Sequence, residues 1–167
     1  MLVSHVDTLQ ESLGALSKEK KHLAGERERI LNERDVAVTA LNDKKREYAT
    51  ETLARCSRLR FEGGVVPNVI IRYGSYGYDD DLAFRIKALF DEHVKWPVTL
   101  DASNRPALPR AEEFKVVFDV GMTVMTYGDL VHAFADGNLL GVTVGVRQGF
   151  DREDSQNLIV MVLPSAA

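Results

Sequence analysis

The residues best suited to chemistry lie in one short stretch, Tyr73-Gly74-Ser75-Tyr76-Gly77-Tyr78, followed at once by Asp79-Asp80-Asp81. Three tyrosines and two glycines between a β-branched run and a helical pattern describe an aromatic loop at a strand-to-helix turn, where doubly wound folds take up ligands. Such a loop suits a neutral ligand or a protein partner; the plainer reading is a glycine-assisted turn whose tyrosines pack on the domain. It is not a phosphate cradle. The G-x-G-x-x-G spacing is missing, no P-loop lysine follows, and three carboxylates would repel an anion at that helix end.

Those carboxylates raise a second option. Asp119 sits near the end of the apolar run Phe114 to Val120. If that strand lay beside the first and parallel to it, Asp119 would share a sheet edge with Asp79, Asp80 and Asp81. Such a group could hold Mg²⁺, with waters filling the remaining positions. The competing reading is helix capping and dipole compensation by Asp79 to Asp81, with Asp119 a solvated charge.

Elsewhere the signals thin out. His5, His22, His93 and His132 form no H-x-x-x-H or H-E-x-x-H pair, and no nucleophile elbow surrounds Ser75, Ser103 or Ser155. Cys56 is the only cysteine, which excludes an internal disulfide and any multi-thiolate zinc site. On a helix it is either a small packed hydrophobe or, in a parallel pair, a thiol facing its copy. No cofactor is expected from these residues.

The elements that must position this loop divide at Gly63-Gly64. Residues 1–62 contain no proline, and all five prolines follow. Residues 1–61 carry 12 basic and 10 acidic side chains, net +2, whereas the remainder carries 9 and 15, net −6. The expected organisation is a long helix over 1–62, a coiled-coil oligomerisation segment, and a compact α/β domain over 63–167.

In the first part apolar residues recur in steps of three and four. Val6, Leu13 and Leu41 take heptad position a, and Leu9, Leu16, Leu23, Ile30 and Ala37 take d. Lys20, Arg27 and Arg34 occupy the remaining a positions, so the seam is basic in its centre. Past Leu41 the stripe drifts to Tyr48, Ala49, Leu53, Cys56 and Leu59, which predicts a register shift.

In the second part the pattern predicts a strand over Val69 to Tyr73, then a helix with Leu82, Ile86, Leu89 and Phe90 inward. Strands follow at Val98 to Leu100 and Phe114 to Val120, then a helix over Thr126 to Asp136 stopped by Gly137-Asn138. Val142, Val144 and Val146 alternate with Thr143, Gly145 and Arg147 as in a half-covered strand. The chain turns through Gln148 to Asn157, with a hairpin over Gln148 to Ser155, into Leu158 to Leu163, which is apolar on both faces and belongs in the centre of a sheet or beneath a helix. This order predicts an α/β fold with a mostly parallel five-stranded sheet, the three-layer doubly wound form preferred; a ferredoxin-like α+β sandwich is the alternative.

Composition narrows the function classes. A net charge of −4 argues against nucleic acid as a partner. The longest apolar run is the six residues from Leu158 to Leu163, well short of a membrane span. A cytoplasmic location is expected, although the soluble part of a membrane-anchored protein has the same composition. The functional expectation is a non-enzymatic protein whose helix forms a homo-oligomer and presents an α/β domain for a protein partner or sensed ligand. The rival is a small nucleotide-type or metal-binding enzyme domain using the Gly74 to Asp81 loop and Asp119.

Overall fold

The computed structural model describes residues 2–60, 62–74, 78–102, 113–120, 124–147 and 157–164. The predicted Ser75-Tyr76-Gly77 centre of the aromatic loop, Ser103, Ser155, and most of the 101–111 and 148–157 connections lie outside the described residues.

Helix α1 runs from Leu2 to Cys56 without a break, as expected of a stretch free of proline and carrying only two glycines. The chain divides into two compact units, residues 1–43 and 44–167. In the first unit the described side chains are exposed throughout. In the second, Ala49, Leu53 and Cys56 are buried in the core of the α/β domain. The composition break at Gly63-Gly64 is therefore not the edge of the packed unit, which includes the last turns of α1.

Among the described residues the sheet has five strands in the order β2-β1-β5-β3-β4. β1 (Asn68–Arg72) leads through α2 (Tyr78–Leu89) to β2 (Val98–Asp101), and β3 (Val116–Asp119) leads through α3 (Val124–Asp136) to β4 (Val144–Arg147). Within each βαβ unit the strands are adjacent and parallel. β5 (Asn157–Val162) lies between the units, parallel to β1 and antiparallel to β3. The sheet is thus mixed, where sequence patterning predicts a mostly parallel one. Nor is it ferredoxin-like, since among the described residues only the β5–β3 pairing is antiparallel. β4 and β5 are separated by β3, so the chain between them does not join paired strands as a hairpin would.

This topology has a consequence for layering. The two βαβ units run in opposite directions and extend to opposite sides of β5, so a half-turn about the sheet normal relates them. That rotation preserves handedness and face, and the right-handed crossover preference then sends α2 and α3 to the same side. The core agrees. Val69, Ile71, Val116, Phe118, Leu158, Val160 and Val162, all on one face by register, cluster with Leu82, Ile86 and Phe90, with Leu130 and Phe134 of α3, and with Leu53 of α1. The opposite face holds a separate cluster of Val117, Ile159, Met161 and Leu163 with Ile70 and Phe114, to which none of the described helices contributes. The described helices therefore form one layer, not the two of a doubly wound fold. β5 is apolar on both faces because it is central and buried on both.

Local chemistry sets the element ends. α2 closes in a single π turn, Phe90–Val94, sealed by the Lys95 amide donating to the Phe90 carbonyl at 2.6 Å, with Lys95 at φ 60°. That left-handed residue turns the chain so that Trp96 enters the core beside Phe90 and Tyr127. α3 ends at Asp136. A Cβ on Gly137 would lie 2.3 Å from the Ala49 Cβ and 2.6 Å from the Ala133 carbonyl oxygen. Only glycine permits this close approach of α3 and the end of α1. Gly145 is required likewise, because the Phe114 ring lies against it on the other face.

Candidate functional site

The aromatic loop starts from a packed residue. Tyr73 follows β1 with its amide donating to the Asp101 carbonyl, and its ring is buried against Phe84, centroids 6.4 Å apart. Gly74 is partly buried, and Tyr78 opens α2. Of the six residues proposed as a ligand grip, the one whose ring is described serves the core.

The three aspartates have different fates. Asp79 is buried, and its carboxylate accepts a hydrogen bond from Lys115 Nζ at 2.7 Å; the two side chains are only 11% and 12% exposed. Lys115 Nζ also donates to the Leu163 carbonyl at 2.6 Å, while the Leu163 amide donates to the Lys115 carbonyl. This ion pair ties the first turn of α2 to the start of β3 and the end of β5. Asp80 is partly buried, with one carboxylate oxygen out of water and without a hydrogen-bond partner among the described residues. Asp81 is exposed.

Asp119 does not join them. β5 lies between β1 and β3, and β3 runs antiparallel to both, so Asp119 aligns with Ile159 and Ile70 while the end of β1 aligns with the beginning of β3. Asp79 and Asp119 are thus attached at opposite ends of the sheet. The adjacency on which a shared Mg²⁺ site depended does not form, and among the described residues no group of three His, Cys, Asp or Glu side chains is arranged to hold a metal. Asp119 instead stands opposite Arg147 in the β3–β4 register. Lys115 was the residue missed by sequence reasoning. Its only signal is a lone lysine at the mouth of an apolar strand, which reads equally well as a solvated flank.

A concavity lies elsewhere in the α/β unit, in an open groove of about 860 Å³ between the end of α1 and α3. Lys44, Lys45 and Arg55 line it from α1, and Asp129, His132 and Asp136 from α3, over a floor of Ala49, Ala133 and Gly137. Arg55 is already committed, donating to Thr52 Oγ1 at 2.9 Å and lying 5.7 Å from the centre of the Tyr48 ring.

Cys56 borders this groove but is 4% exposed. Burial pushes its thiol up from an ordinary 9.0 to about 11; Asp129 adds to the rise and Arg55 opposes it. The thiol is therefore protonated near neutrality and a poor nucleophile. A stability consequence follows. Below pH 9 the thiol is neutral folded and unfolded, and its burial contributes in full; between pH 9 and 11 the unfolded chain ionises first and that stability is lost. Two pKa units correspond to about 2–3 kcal/mol. Urea titrations at pH 8 and 11 should show the wild type losing that much more than Cys56→Ala, and parallel losses would refute the assignment.

Comparison with protein-family models, with curated proteins and with solved structures finds no match to this chain.

The remaining surface of note belongs to residues 1–43. Val6, Leu9, Leu13, Leu16, Leu23, Ile30 and Leu41, the large apolar residues at heptad spacing, are between 51% and 65% exposed. No helix among the described residues is long and apolar enough to cross a membrane.

Proposed function

We propose that the protein is a non-enzymatic oligomeric module, in which residues 1–43 associate as a coiled coil and thereby gather copies of the α/β domain for contact with a protein partner or ligand. One observation carries this reading: a stripe of leucines and an isoleucine at heptad spacing, all exposed in the single chain. Fully burying one such side chain is worth about 1.5–3 kcal/mol, and a long helix that leaves several in water is stabilised by a partner helix far more than by its own propensity. Gathering domains raises effective concentration at a multivalent target without any new contact.

Light scattering over a range of concentrations tests it. The wild type should show a mass that is a multiple of the chain mass. Leu16→Glu with Leu23→Glu, which leaves the α/β core untouched, should reduce it to the monomer while the fluorescence of buried Trp96 remains native. A monomeric wild type at all concentrations would refute the proposal.

A further inference from the structure

The heptad frame also places charges, and these select among ways of pairing. With Val6, Leu13 and Leu41 at a, position g falls on Glu19, Glu26 and Glu33, each directly before one of the three basic a residues, Lys20, Arg27 and Arg34. The opposite flank, position e, is uncharged: Gln10, Ser17, Ala24, Leu31 and Val38. All six charged residues are exposed on α1. Among them, Glu33 accepts a hydrogen bond from Arg29 one turn earlier at 3.0 Å. That pair is exposed and weak, and a carboxylate has lone pairs to spare for a second donor.

In a parallel, in-register pair each a side chain enters a hole formed by four residues of the facing helix. For Lys20 that hole consists of the partner's Leu16, Glu19, Lys20 and Leu23. Arg27 and Arg34 meet the equivalent sets, each with one glutamate, the partner's Glu26 and the partner's Glu33. Every basic residue in the seam therefore meets a carboxylate, while its long stem covers the neighbouring leucines. An antiparallel pair sets g against g, so the glutamates of the two chains would face one another with no charge on the e flank to offset them. We infer that the seam is occupied by a second copy of this chain, parallel and in register, with Glu19, Glu26 and Glu33 of each copy paired with Lys20, Arg27 and Arg34 of the other. This rests on the oligomeric reading above and specifies its partner, direction and register.

A charge exchange tests it on the full chain. One variant carries Glu19→Lys, Glu26→Lys and Glu33→Lys; the other carries Lys20→Glu, Arg27→Glu and Arg34→Glu. Each alone removes the opposite charge from every hole and leaves only like charges there, and should associate at least about tenfold more weakly than wild type. An equimolar mixture restores all six opposite-charge pairs and should recover association in 1:1 complexes. Direction is read by disulfide exchange in a Cys56→Ala background. Leu9→Cys should link to its own copy, whereas an antiparallel pair would link Leu9→Cys chains to Leu41→Cys chains. Linkage of the mixed pair alone, or no recovery on mixing the charge variants, overturns the parallel arrangement while a multimeric wild type leaves the oligomeric proposal standing. A monomeric wild type removes both.

Discussion

Lys115→Met should destabilise the α/β domain by about 3–5 kcal/mol, because it leaves the Asp79 carboxylate buried without its counter-charge. Asp79→Ala should cost nearly as much, toward the lower end of that range, since Lys115 keeps the Leu163 carbonyl as an acceptor. Capping alone would predict only about 0.5–2 kcal/mol for Asp79→Ala, so the size of the effect separates a helix cap from a buried ion pair. The double variant should be less destabilised than the sum of the singles by more than about 1 kcal/mol, the sign of direct coupling between contacting groups. Urea unfolding followed by Trp96 fluorescence reads all four species. Additive effects, or a Lys115→Met loss below about 1 kcal/mol, would show that the pair does not hold α2 to the sheet.

Arg27→Ile combined with Arg34→Leu should tighten association of α1 by more than about tenfold while loosening its order. Each replacement extends the apolar seam from Leu23 through Ile30 to Leu41 and can bury about 1.5–3 kcal/mol of side chain per copy before packing losses. The same change removes the polar residues that penalise other registers and higher oligomers, since an isolated polar group at an a position costs stability and specifies pairing. Sedimentation should therefore show stronger association together with a mixture of species. Unchanged mass and no concentration-dependent melting in both wild type and variant would mean that these helices do not pair.

The heptad of residues 6 to 41, the inward stripe of α2 and the apolar run of β5 are local patterns, and each element formed close to where its period placed it. Gly137-Asn138 ends α3 as its turn chemistry requires, with Asn138 at φ 47°. The alternation of a glutamate and a basic residue at 19–20, 26–27 and 33–34 is equally legible, being a matter of spacing along one helix.

What the sequence by itself determined, then, is the long helix, the kinds and order of elements, and the pattern of apolar and charged residues along that helix. Tertiary structure decided the rest. Alternation within β3 is the same whichever way the strand runs, so nothing local distinguishes a parallel neighbour of β1 from an antiparallel neighbour of β5. That reversal placed α2 and α3 on one face, carried Asp119 to the far end of the sheet from Asp79, and brought Lys115 to it instead. It likewise required the three-dimensional core to show that Ala49, Leu53 and Cys56 belong to the domain rather than to the seam. Periodicity records which face of an element is dry; which other element dries it depends on long-range packing and on where a buried charge finds its partner, and neither is written in the spacing of residues along the chain.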